Sequence, residues 1–200
     1  MNDIILAIDL DGVLVSEDSA LEIYEEAYLD TLEDLRKMGI KIPEEYRVHS
    51  FENYCKIAKG EHGELFREIY RRNYLKTLEE HSDEIVESNR ERAINVYNQA
   101  VSSYNPRDVF ILTANPGGKS IVKKLIPEIE EDKIIVVDDT AYVENKSEEL
   151  KKLNSLGRVI YIADRDDIDA EVARRAGVEY VNVNKFIASL NLMERDLYNL

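Results

Sequence analysis

Apolar residues along this chain follow two rhythms. Residues 4–8, Ile-Ile-Leu-Ala-Ile, make an unbroken apolar run closed by Asp9. Such a run predicts a strand buried on both faces, as in a parallel sheet. From Leu14 the rhythm changes. Leu21, Tyr24, Ala27, Tyr28, Leu32 and Leu35 recur at three and four, with Ser16 or Asp18 available as a cap and Gly39 as a stop, which predicts an amphipathic helix with an acidic outer face. Residues 40–52 contain Pro43 and no clear period, and read as a loop or short turns. Further helices are predicted at about 51–59, 61–78 and 82–104, the last open to a break. Between 17 and 104 nothing reads as a convincing strand.

Beyond Pro106 short β-rich runs at 109–112, 134–137, 159–162 and 180–183 alternate with helical stretches at 119–125, 147–156 and 169–176. That alternation is the βαβ step of a parallel sheet. Gly157 and Gly177 stand just past two of the helices, where a terminating glycine belongs. Together with the first run, the pattern predicts an α/β chain: a Rossmann-like parallel core of about five strands with helices on both faces, interrupted after its first strand by an all-α insertion. The predicted division is 1–14 and 88–200 for the core and 15–87 for the insertion. Residues 186–200 predict one more helix packing on the core.

Composition narrows the function. The chain has 200 residues, 44% of them apolar, and a formal charge of −15. An acidic surface argues against general binding to nucleic acid or to an anionic membrane, and no run of about 18 apolar residues is present to span a bilayer. A cytoplasmic protein acting on a small ligand is expected. The single cysteine, Cys55, excludes an internal disulfide and a cysteine metal cluster, and reads as a packed side chain.

The candidate chemistry lies at the strand ends. Asp9 and Asp11 follow the first strand two residues apart, and Gly12 lets the backbone turn away. Two like charges held close favour a bound cation or a raised pKa on one of them. On its own, D-x-D-G is an ordinary strand end breaking into a turn. The second strand runs into Thr113-Ala114-Asn115-Pro116-Gly117-Gly118, a hydroxyl and backbone N–H groups leading into a helix whose N-terminus favours anions. The third ends in Asp138-Asp139, with Lys146 farther on at a helix start. The fourth ends in Ala163-Asp164-Arg165-Asp166-Asp167. Within the insertion Arg67 and Arg71 share a helix face and could meet an anionic substrate, although Glu64 and Glu68 are spaced to pair with them as surface ion pairs.

Asp9 and Asp11, Thr113, Lys146, then Asp164 and Asp167, in that order on one α/β sheet, resemble the haloacid dehalogenase superfamily of phosphotransferases over the first 14 residues and about 88–183. The insertion falls where many members carry a helical cap, the part in which the family places its specificity. The resemblance implies a phosphatase of a small phosphorylated metabolite, such as a phosphoglycolate-like compound or a sugar phosphate, with a phosphomutase or a non-catalytic binding member as alternatives. It implies Asp9 as nucleophile, Asp11 as general acid and base, and Thr113, Ala114 and Asn115 with Lys146 around the phosphoryl group. Magnesium is implied on Asp9, Asp11, Asp164 and Asp167. Ala163 stands where a glycine is usual, Arg165 replaces a small polar residue, and the spacing from Asp164 to Asp167 is short. The last metal acid therefore stays open among Asp166, Asp167 and Asp169. A rival register would use Lys123 or Lys124 with Asp138 and Asp139, at the cost of one strand before the metal-binding acids.

Overall fold

The computed structural model describes residues 3–188. Five strands form one parallel sheet: β1 (Ile4–Ile8), β2 (Asp108–Thr113), β3 (Ile134–Val136), β4 (Arg158–Ala163) and β5 (Glu179–Asn182). Their order is β3-β2-β1-β4-β5, so the first strand in sequence is the central one. Ile8 pairs with Ile111 on one side and Ile162 on the other. The chain steps outward from β1 through β2 to β3, then returns to β4 on the opposite side. That reversal opens a crevice beyond the C-terminal ends of the strands, the ligand position of open α/β sheets.

Strand parity decides what each face carries. Ile5 and Ala7 of β1, Leu112 of β2, and Val159, Tyr161 and Ala163 of β4 pack with residues of α5 (Tyr142–Asn154) and α6 (Asp169–Ala176), including Leu150, Leu153, Val172 and Ala173. Leu6 and Ile8 point to the other face and are equally buried. Each such side chain contributes about 1.5–3 kcal/mol by leaving water. Gly118 opens α4 (Gly118–Leu125) against Thr113, since a Cβ there would lie 2.6 Å from Thr113 Cγ2. Gly177 ends α6 in the left-handed conformation expected of a terminating glycine, φ 70°.

The remaining helices are α1 (Glu17–Lys37), α2 (Phe51–Ala58) and α3 (Gly63–Tyr104). Two compact units result: Met1–Glu17 with Val86–Leu200, and Asp18–Ile85. The second unit is held by an aromatic core. Tyr28, Phe66 and Tyr74 are buried, Tyr24 stacks on Tyr74 and Tyr54 meets Tyr70 at 4.9 Å. Tyr28 also donates to the Tyr46 carbonyl at 2.6 Å, which satisfies its buried hydroxyl.

Two expectations change. The helices expected at 61–78 and 82–104 are one helix of 42 residues, α3. Residues 79–83, Glu-Glu-His-Ser-Asp, are polar but include neither glycine nor proline, so nothing breaks the backbone ladder, and Ser82-Asp83 is helix interior rather than a start. The helix expected at 147–156 begins earlier, at Tyr142. Residues 183–188 are helical, and the rest of the helix expected over 186–200 lies outside the described residues. No helix among the described residues is long and apolar enough to cross a membrane.

Candidate active site

Asp9 has the same parity as Ile5 and Ala7, so its carboxylate continues the face covered by α5 and α6. It is 4% exposed. The Leu10 N–H donates to its Oδ1 at 2.8 Å. Lys146, on the second turn of α5 and wholly buried, donates to its Oδ2 at 2.5 Å. Lys146 also donates to the hydroxyls of Tyr142 at 2.6 Å and Tyr161 at 3.1 Å. Both phenols in turn donate to Oδ1 of Asp169 at 3.0 Å. The Arg165 N–H reaches the other oxygen of Asp169 at 3.2 Å.

Asp9, Asp164 and Asp169 each offer an oxygen, all within 4.8 Å of one another. The loop after β1 meets this group closely. Gly12 has φ 77°, and a Cβ on it would fall 2.1 Å from Asp164 Oδ2. Asp11 is fixed from the side, because the Asn115 amide donates to both its carboxylate oxygens at 3.1 and 3.3 Å. Asn115 is itself held by the Gly117 N–H on its Oδ1, while its own N–H donates to Thr113 Oγ1 at 3.0 Å. Thr113 is buried at the end of β2 and Ala114 is half-buried after it.

Crowding of acids sets the electrostatics. Burial pushes the Asp9 carboxyl up to about 7, with Asp169 and Asp11 adding to the rise and the Lys146 ammonium working against it. Asp164 is pushed up to about 6 by burial and then by Asp169. The Tyr142 and Tyr161 hydroxyls are held well above their ordinary value, first by burial and then by Asp9, so both remain proton donors. Three carboxylates with hard oxygen donors, facing one ammonium, form a donor set suited to a divalent cation such as magnesium.

The sequence-predicted residues divide on this geometry. Asp9, Asp11, Thr113, Asn115, Lys146 and Asp164 gather at the C-terminal ends of β1, β2 and β4. Asp167 does not join them: it is exposed and paired with Arg165 at 3.4 Å. Asp166 is bound by Tyr180, Asn182 and Lys185 at the surface. Asp169, the third acid left open, occupies the place expected of Asp167, because the first turn of α6 swings it back over the sheet. Asn115 faces Asp11 with its amide. Two residues of the rival register have local backbone or side-chain partners. Lys123 donates to the carbonyls of Pro127 and Ile129, and Asp138 accepts from the Thr140 N–H and hydroxyl. In the second unit Arg67 donates to the Ala58 carbonyl at the end of α2, and Arg71 is exposed. Sequence reading missed Tyr142 and Tyr161. The available signal was a tyrosine in the otherwise aliphatic β4, since a buried phenol needs a partner.

A parallel sheet of this order with a helical insertion after its first strand is a class of fold already known among solved proteins. Two solved structures share it. One is a haloacid dehalogenase-like family hydrolase from Streptococcus pneumoniae, 18% identical, covering 91% of this chain and 85% of that one with a TM-score of 0.51. The other is a protein assigned as a phosphoglycolate phosphatase from Lactobacillus plantarum, 15% identical, covering 90% and 86% with a TM-score of 0.53. No protein-family model and no curated protein matches the sequence.

Proposed function

We propose that this chain is a magnesium-dependent phosphatase of a small phosphorylated metabolite, working through an aspartyl-phosphate on Asp9. One observation carries the reading: a buried carboxylate at the end of the central strand, with an ammonium 2.5 Å away and two further acids in reach of a shared cation. Likeness of fold to hydrolases of phosphate esters supports it.

Asp9, Asp164 and Asp169 would hold magnesium, whose charge would keep Asp9 ionised at neutral pH and offset the charge of an incoming phosphate. Asp9 attacks phosphorus, the ester P–O bond breaks, and Asp11 gives its proton to the leaving oxygen. Asp11 then takes a proton from water as that water attacks the phosphoryl group. The bond from phosphorus to Asp9 breaks, releasing inorganic phosphate and the free carboxylate. The Asn115 amide aims Asp11 throughout, and Lys146 balances charge on the Asp9 oxygen it touches. The N-terminus of α4 and the Thr113 hydroxyl are suited to the phosphoryl oxygens. Arg67 and Arg71 belong to the insertion that would act as the cap, and we assign them no contact with substrate.

Release of phosphate from an aryl phosphate and a panel of small phosphate esters, with and without magnesium, tests the reading. Turnover should need magnesium and should fall by at least about a thousandfold in Asp9→Asn. A folded wild type that binds magnesium but releases phosphate from no ester would point to phosphoryl transfer between substrates or to a binding role.

A further inference from the structure

An ammonium has three protons to give and accepts none. Lys146 is wholly buried and gives all three: to Asp9 Oδ2, to the Tyr142 oxygen and to the Tyr161 oxygen. Each phenol, having accepted from the lysine, has one proton left, and the same oxygen of Asp169 at 3.0 Å is a nearer acceptor for both than Asp9 Oδ2 at 3.4 Å. The direction of the lysine bonds is fixed by chemistry alone, and distance assigns both phenol protons to Asp169. Two neutral hydroxyls stand between a buried cation and a buried carboxylate that would otherwise attract each other directly. The Tyr142 ring also lies under the ammonium, 4.4 Å from its centroid.

We propose that Tyr142 and Tyr161 are positioning residues that hold Lys146 on Asp9 and away from Asp169, leaving Asp169 free to form a divalent-cation site with Asp9 and Asp164. This rests on the metal reading of that cluster given above. Without the hydroxyls, Lys146 loses two acceptors inside a dry site and turns to a second carboxylate, Asp169, which an ion would then have to win back. Replacing tyrosine by phenylalanine removes only the hydroxyl and keeps the ring packing, so the substitution isolates the bridging role.

The test is magnesium titrated calorimetrically into the full chain, in a cycle of four proteins: wild type, Tyr142→Phe/Tyr161→Phe, Lys146→Met, and the triple variant. The paired phenylalanines should weaken magnesium binding about tenfold or more when Lys146 is present, the size usual for losing a group that orients a metal ligand. In the Lys146→Met background they should change it by less than about twofold, because no cation remains to be held back. An equal loss in both backgrounds means a packing role and overturns the proposal, as does no loss in either. A wild type that takes up no magnesium overturns the metal reading itself, a result distinct from either. Thermal unfolding by circular dichroism checks that each variant folds, and Tyr142→Phe alone, at a half-buried ring, supplies the same comparison if the double change does not.

Discussion

At the scale of single residues, Gly12 is where the two arms of the site touch. Its φ of 77° costs an L side chain about 1–2 kcal/mol, and a Cβ would run into the Asp164 carboxylate at 2.1 Å. Gly12→Ala should therefore lower the unfolding midpoint and weaken magnesium binding together. In an Asp164→Ala background the same change should cost only the conformational part, because the colliding carboxylate is gone. Equal costs in the two backgrounds would remove the collision from the account. The sequence already announced a glycine turn after Asp11, since D-x-D-G needs no partner to be read. What it withheld was the neighbour, which arrives from a loop more than 150 positions later. The choice among Asp166, Asp167 and Asp169 was withheld for a similar reason. All three are acids in one short stretch, and only the point at which α6 begins decides which turns inward.

At the scale of elements, the apolar runs placed all five strands, because a strand buried on both faces leaves little room for other chemistry. The helices were less legible. A polar stretch such as 79–83 marks either a loop or the solvent side of a helix, and local pattern does not separate the two. The length of α3 matters to the site, because its later turns carry Asn89 and Arg92 on one face. Asn89 accepts the Ser16 N–H at 2.8 Å, while Arg92 donates to the carbonyls of Val13 and Gly12 at 2.8 and 2.9 Å. The loop following Asp11 is thus tied to α3 by its backbone. Arg92→Ala should cost about 1–2 kcal/mol in denaturant unfolding, and Arg92→Lys should recover only part, since a single ammonium does not reproduce the fork. Full recovery by lysine would reduce the contact to its charge.

At the scale of the whole molecule, the site stores acid repulsion that pH and metal should reveal. Asp9 and Asp164 bind protons more tightly folded than unfolded, about 7 and about 6 against an ordinary 3.8. Their contribution to stability is complete below about 3.8 and is lost as the pH rises through those values. His49, whose neutral form is favoured by burial, works in the opposite sense. The comparison is therefore between wild type and Asp164→Asn, melted without metal from about pH 5 to about pH 8: wild type should lose more. Magnesium should raise the wild-type melting temperature little at about pH 5 and most at about pH 8, since it competes with those protons. A metal-induced shift of equal size at both ends would separate the ion from these two carboxyls. The strand order has a consequence for how the chain comes into being. On a ribosome β1 is made before both strands it lies between, which are translated only at 108–113 and 158–163. The segment 18–85, a compact unit of its own, can collect itself while β1 waits unpaired. Closure of the sheet is then a late event across long sequence separations, which slows folding. Asp9 is synthesised well before Asp169, and it gains its last neighbour only when that residue has emerged.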